Sequence, residues 1–154
     1  MDHAQKAKNI IESIWYITLA SATRDGKPWN TPLYTSYDDA YRFFWASWTG
    51  TQHSMNIREN PSVFITIFDS RAPEGAGEGV FIEAEATELN DPAEIEHAMR
   101  HHYGRKSAPL RPLEAFTGDS PRRMYQATPK RVWINLDSEM KGNHIDTRKE
   151  ISLL

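Results

Sequence analysis

Cysteine is absent from this chain. That removes disulfides, thiolate metal centres and cysteine nucleophiles together, and it fits a reducing compartment. Long apolar runs are absent too. None approaches the roughly 20 residues that cross a bilayer as a helix. The stretch Met1 to Ile14, with Lys6 and Lys8, lacks the apolar core of a signal peptide. A soluble, cytoplasmic protein without a membrane partner is therefore expected. Nor is there a basic excess. The formal charge is −3 with both signs interspersed, so no nucleic-acid partner is expected. No repeat or low-complexity linker divides the sequence, and residues 1–154 are read as one domain. What the chain has in quantity is aromatic: five Trp, six Tyr and six Phe. Such side chains bury much area each, and they also line pockets and subunit interfaces.

Hydrophobic periodicity gives the elements. Ala4, Ala7, Ile10, Ile11 and Ile14 recur at helical spacing, and Asp2 stands where it can cap the start. From Trp15 to Thr23 the period changes to two, the mark of a half-buried strand. Asp25-Gly26 is a tight hairpin turn. A second strand runs from about Trp29 to Tyr37, and Pro32 inside it demands an edge or a bulge. Asp38-Asp39 turns into an aromatic strand, Tyr41 to Ala46. A polar segment then leads to a short helix, capped by Thr51 or Ser54 and ended by Asn60-Pro61. Ser62 to Asp69 and Val80 to Leu89 read as strands around a glycine-rich loop, 70–79, expected to be mobile. Asp91 and Pro92 open a helix that runs to about Tyr103. Lys106 to Pro121 is irregular. Met124 to Thr128 and Arg131 to Leu136 read as two strands separated by Pro129, and His144 to Leu153 as a further candidate. The expected fold is mainly β (α+β), a six- to seven-stranded antiparallel barrel with a few short flanking helices.

The stretch from Trp45 to Asn60 is the most informative for chemistry. A strand ends, and Ser47, Thr49, Gly50, Thr51, Gln52, His53 and Ser54 lead into a helix. Hydroxyls, free backbone N–H groups and the positive end of a helix dipole are the ingredients of a phosphate site. The same residues also suit a loop that only caps its helix.

Asp25-Gly26-Lys27-Pro28, Thr31-Pro32-Leu33-Tyr34, Phe44-Trp45-Ala46-Ser47, Gln52-His53-Ser54-Met55-Asn56-Ile57 and Asn60-Pro61 follow in an order that resembles the pyridoxamine 5′-phosphate oxidase-like family of FMN-binding split barrels. Gly77 to Glu83 and Pro129-Lys130-Arg131-Val132-Trp133 continue it, so the likeness spans about Trp15 to Ile151. The resemblance implies a split β-barrel that holds FMN between the two subunits of a homodimer. It implies that Asn30, Thr31, Pro32 and Leu33 present backbone to the isoalloxazine ring. Trp45, Ala46 and Ser47 would line the ribityl chain and ring edge. Thr51, Gln52, His53 and Ser54 would hold the phosphate, and Trp133 of the other subunit would close the site.

Two departures from the family pattern stand out. Where relatives often place Arg or Lys in the phosphate turn, this chain has His53 and Met55. The positive charge must come from a protonated His53, the helix dipole or a residue such as Arg58. The vitamin-B6 oxidase grips its substrate with an Arg-Leu-His-Asp-Arg segment, and the nearest match here is His144-Ile145-Asp146-Thr147-Arg148. Arg148 fits the last position, but Asp146 would repel a phosphate ester. A flavin-dependent oxidoreductase is thus expected, but not a true pyridoxamine phosphate oxidase. Alternatives are a non-catalytic flavin-binding or sensing module, and the same barrel holding deazaflavin F420 or haem. No catalytic acid or base is identifiable. His97, His101 and His102 are read as solvated rather than as a zinc site, so no metal is expected. Glu83, Glu85 and Glu88 are read as an outer face. Ser47 and Ser54 lack a nucleophile-elbow context. Tyr41, Phe43 and Trp45 suit core packing as well as stacking.

Overall fold

A computed structural model describes residues 2–140 and 142–154, with the side chains of 137–139 and 144 left outside the description. Helix α1 (His3–Ser13) precedes strands β1 (Tyr16–Ala22), β2 (Pro28–Tyr34), β3 (Ser36–Tyr37) and β4 (Phe43–Trp48). Helix α2 (Gln52–Glu59) leads to β5 (Ser62–Phe68) and β6 (Gly79–Glu88). Helix α3 (Pro92–Arg105) and a short 3-10 turn at Leu113–Phe116 precede β7 (Arg122–Met140) and β8 (Asn143–Ile151). The sheet runs β2-β1-β5-β6-β7-β4-β3, every pair antiparallel, with β8 added to β7.

The curl of this sheet follows from its connectivity. β2 and β3 stand at opposite ends of the strand order, yet only Thr35 separates Tyr34 from Ser36. Adjacent α-carbons are about 3.8 Å apart, so the two edges must meet at this point. Beyond it β2 continues as an edge paired only with β1, and the barrel is split there. Pro32 therefore sits where a missing N–H costs no ladder bond, as its position in the sequence required.

Alternation builds the core. Ile17, Leu19, Val63, Ile65, Ile67, Val80, Ile82, Ala84 and Ala86 point inward with Ala7 and Ile11 of α1. β4 is buried on both faces: Phe43 and Trp45 face the barrel, while Phe44 packs with Ile95, Ala98, Met99 and Tyr103 of α3. That double burial accounts for its aromatic density. Gly26, at φ +89°, makes the turn that joins β1 to β2.

Two expectations change in detail. Pro129 does not divide two strands. β7 passes through it, and the register against β6 shifts between Glu83 and Ala84, so that Arg131 and Pro129 oppose neighbouring residues and Lys130 is extra. A bulge removes the need for a proline N–H. The glycine-rich loop is tied at its far end, where Asn135 accepts from Gly79 N at 2.6 Å and donates to Gly77 O at 2.9 Å. Lys6 also pairs with Glu78. Among the described residues no helix is long and apolar enough to cross a membrane.

Candidate functional site

β4 carries Ser47 to the rim of the barrel, and the turn 49–51 swings the chain into α2. Pairing with β7 continues to the last residue of the strand, Trp48 against Arg122, so the rim is rigid up to the turn. Thr51 occupies the N-cap position with extended backbone, but its side chain makes no cap bond. Its Oγ1 instead lies 3.0 Å from Trp48 O, 2.8 Å from Ser54 Oγ and 3.2 Å from His53 Nε2. Ser47 Oγ lies 2.8 Å from the same imidazole nitrogen. Ser47, Thr51, His53 and Ser54 thus form one hydrogen-bonded cluster, and the N-cap side chain leaves the first-turn N–H groups of α2 without a cap bond. Those groups and the dipole behind them favour an anion.

His53 is buried, and burial holds its pKa below the ordinary histidine value. The imidazole is neutral near pH 7 without a ligand, so the free protein does not carry the expected cation there. Arg58 reaches the turn, but its charge is shared with a carboxylate. It donates to Thr49 O and stands 3.6 Å from Glu88. The nearby cation that sequence reasoning missed is Lys27. It lines a cavity of about 250 Å³ with Gln52, Asn56, Thr23, Pro28 and Trp29. Its signal was its place directly after the Asp25-Gly26 turn, which folds β2 back toward α2. Gln52 also bonds Asn56 at 2.8 Å, and Asn56 bonds Ser21 of β1 at 3.0 Å, which pins the helix to the hairpin.

The other named residues divide. Asn30, Thr31, Pro32 and Leu33 lie on β2, whose outer edge leaves a row of backbone N–H and C=O groups unpaired. Ala46 packs toward α3. The Trp45 side chain is fully buried and stacks on Tyr125 with ring centroids 5.7 Å apart, so it offers a ligand no ring edge. Core packing is the role of Phe43 and Trp45. Trp133 and Arg148 stand on the outer sheet face. Trp133 stacks on Phe64 at 6.2 Å, and the Arg148 guanidinium lies 3.7 Å from the centroid of the Phe81 ring. Ser47 pairs with Arg123, and Trp133 lies ten residues further along β7, roughly 30 Å of strand. One chain does not bring Trp133 to the Ser47–His53 cluster. The side chain of His144 lies outside the described residues.

Glu88 and His102 depart from the solvated reading. Glu83 and Glu85 are exposed on one face, but Glu88 has the opposite parity and turns inward. It accepts from Tyr125 OH at 2.8 Å. Burial first, with the Glu88 contact, pushes the Tyr125 phenol up to about 12. His102 is buried against Tyr34 and Tyr103, and desolvation, with Lys106 beside it, pulls it down to about 4. His97 bonds Asp38 at 3.1 Å and tethers α3 to the β3–β4 hairpin. No cluster of three potential metal ligands occurs among the described residues.

A family model, that of pyridoxamine 5′-phosphate oxidase, matches residues 4–135. Among curated proteins none matches the sequence. Solved structures share the fold at low identity. A heme binding protein from Mycobacterium smegmatis superposes with TM-score 0.71 at 19% identity, over 96% of this chain and 58% of that one. The heme storage protein HutZ from Vibrio cholerae gives 0.63 at 14% identity, over 87% and 95%. An F420 reductase gives 0.59 at 20% identity, over 81% and 94%.

Proposed function

The chain belongs to the pyridoxamine 5′-phosphate oxidase family, and on that premise we propose that it is an FMN-binding oxidoreductase acting as a homodimer. The observation that carries this reading is the start of α2. Its first turn is uncapped, and it is surrounded by Ser47, Thr51, His53 and Ser54, with Lys27 and Gln52 on the adjoining cavity. A phosphate wants such N–H groups, hydroxyls and a nearby cation. The open edge of β2 leaves outward backbone at Asn30 and Pro32, the proline offering only its carbonyl, for the polar rim of a flavin ring, and Trp29 gives it an apolar wall. When bound, FMN supplies hydride and electron transfer. The residues named here bind it, orient it and compensate its charge.

Two observations favour a second subunit. Trp133 and Arg148 lie too far along β7 and β8 to reach the Ser47 cluster of their own chain. The sheet face that bears them also carries Phe64, Phe81 and exposed Tyr16 and Phe68. Such an aromatic face suits burial against a copy of itself.

An absorbance spectrum of the purified protein tests the cofactor. Flavin bands are expected, and FMN added to stripped protein should bind more tightly than riboflavin. A Soret band would replace FMN by haem, and preferential uptake of F420 would replace it by the deazaflavin. The named ligands of the M. smegmatis, V. cholerae and F420-reductase structures make both worth including. Light scattering should give twice 17.7 kDa. Reduction of bound flavin by NADH or NADPH with turnover would mark an enzyme, and its absence across donors a binding module. Asp146 of β8 is expected to disfavour pyridoxamine phosphate as substrate.

A further inference from the structure

Three consecutive side chains at the seam of the barrel, those of Tyr34, Thr35 and Ser36, carry buried hydroxyls that meet no hydrogen-bond partner among the described residues. Burying a hydroxyl unpaired costs stability, so such groups call for an explanation. Thr35 and Ser36 are almost wholly enclosed. Ser36 also forms part of the wall of a cavity of about 510 Å³ between the end of α1 and the end of α3. Trp15 and Tyr37 give this cavity aromatic walls. Arg105 lies against both, with its guanidinium carbon 6.0 Å and 5.1 Å from the two ring centroids. Its Nη2 donates to the carbonyls of Ile11, Glu12 and Ile14, at 2.8, 2.9 and 3.3 Å, and its Nη1 to that of Thr35 at 3.1 Å. These bonds hold the guanidinium and the end of α1 in place before any ligand arrives. The Nε–H and one Nη1–H remain to give. Carbonyls also leave the charge intact, and no carboxylate of the described residues pairs with Arg105.

We propose that this cavity is a binding site for an aromatic carboxylate, with Arg105 as its charged anchor, Ser36 as a second donor and Trp15 as the stacking wall. The charge balance favours a carboxylate. The lining sets two guanidiniums, Arg100 and Arg105, against the carboxylate of Glu12. Burial, with His97 beside it, holds His101 below the ordinary histidine pKa, so this lining residue adds no charge near pH 7. One net positive charge matches a carboxylate and falls short of a phosphate ester, which carries about −1.5 to −2 near neutrality. Arg100 is exposed and lies 4.0 Å from Glu96, so the half-buried Arg105 carries the recognition. The cavity is separate from the Ser47–His53 cluster. Ser36 pairs with Phe44, three residues before Ser47 on β4, which is roughly 10 Å of strand. It lies just beyond Leu33, at the end of β2 far from Lys27. An aromatic carboxylate held there would be the substrate presented to the flavin ring. That role rests on the reading above, and the site itself does not.

Titration of benzoate into cofactor-free protein at pH 7, followed by ¹H–¹⁵N correlation at the Arg105 Nε–H and the Trp15 indole N–H, tests the site. Saturable shifts are expected at both. Benzamide, neutral and of the same shape, should bind at least about 10-fold more weakly, and phenyl phosphate no more tightly than benzoate. Ser36→Ala should weaken benzoate about 3- to 10-fold, as for one lost hydrogen bond. It should leave the ligand-free melting temperature unchanged or raise it, since the hydroxyl it deletes is unpaired. Trp15→Leu should weaken benzoate by a similar factor, and Arg105→Lys should abolish binding. Should Arg105→Lys fail to fold by circular dichroism, the other two variants carry the test. No saturation at these signals, benzamide binding as well as benzoate, phenyl phosphate binding 10-fold more tightly, or a benzoate affinity unchanged in both Ser36→Ala and Trp15→Leu would overturn the proposal. In flavin-loaded protein, benzoate should also perturb the flavin absorbance bands over the same concentrations, and bands that do not move would strike out the substrate role. Benzoate binding in a protein that takes up no FMN would uphold the site and defeat the flavin reading. A flavin-loaded protein that binds no benzoate would do the opposite.

Discussion

Helices α2 and α3 both begin after a residue able to cap them, and only α3 uses it. Asp91 accepts from Ala93 N at 3.0 Å and Glu94 N at 3.1 Å, and Pro92 fills the first helical position, where no N–H is needed. Thr51 caps nothing, and its hydroxyl is committed to Ser54, His53 and the Trp48 carbonyl. A closed helix start serves stability. An open one, with its hydroxyls drawn aside, leaves its donors to something that is not part of the chain. The histidines at the two helices differ in the same sense. His53 sits among hydroxyls, whereas His102 is packed between tyrosine rings beside Lys106.

The sharpest break of this contrast is at His53. His53→Ala should remove a charge-assisted bond to the cofactor phosphate, about 1.5–3 kcal/mol, or about a 10- to 150-fold loss of FMN affinity. Riboflavin should be nearly unaffected, and an equal loss for both flavins in a calorimetric titration would reduce His53 to a packing residue.

The next effect belongs to His102. Its folded pKa, about 4, lies below the ordinary 6.5. The unfolded chain therefore binds more protons between these values. Stability is complete above about pH 6.5, declines as pH falls toward about 4 and levels off below, a loss on the order of 3 kcal/mol. His53, also depressed, adds loss of the same sign. Urea midpoints measured from pH 7.5 to 4.5 should fall in the wild type and fall much less in His102→Gln.

Exchanging the two helix starts is subtler. Thr51→Asp should give α2 the cap it lacks and stabilise the protein by about 0.5–1 kcal/mol, while its carboxylate lowers FMN affinity at least about 10-fold. Asp91→Ala should do the reverse at α3, losing about 1 kcal/mol, or about 2–4 °C of Tm, with FMN affinity unchanged. Thermal melts with parallel flavin titrations read both. A Thr51→Asp variant that binds FMN as well as the wild type would place the phosphate elsewhere.

The smallest effect concerns the loop between β5 and β6. Amides of residues 70–76 should exchange quickly, whereas Gly79, held by Asn135, is protected. Asn135→Ala should extend fast exchange through Gly79 with little change in global stability.

Much of this was legible in the sequence because it depends on neighbours along the chain. Period-two alternation located β1, β5 and β6, Pro32 announced an edge, and Asp91-Pro92 opened α3 where expected. The polar turn after β4 was recognisable from its residue types and from the order of motifs shared with the family. Other features were settled by residues far apart in sequence. Pro129 was tolerated inside β7 because β6 accommodates a bulge, which a single strand does not reveal. Trp45 turned from a pocket wall into a core residue because Tyr125 lies opposite it in the ladder. Glu88 is inward because the alternation of β6 reaches it with the opposite parity to Glu83 and Glu85, and it is tolerated there because Tyr125, Arg58 and Arg123 meet it. The sequence by itself determined most of the elements, the edge character of β2 and the residue types of the polar turn before α2, since local sterics and hydrophobic period act over a few residues. Only the tertiary structure decided which hydroxyls were spent, which histidines were dry and that Lys27 lies beside Gln52, because desolvation and hydrogen-bond direction depend on partners that only the folded sheet brings together.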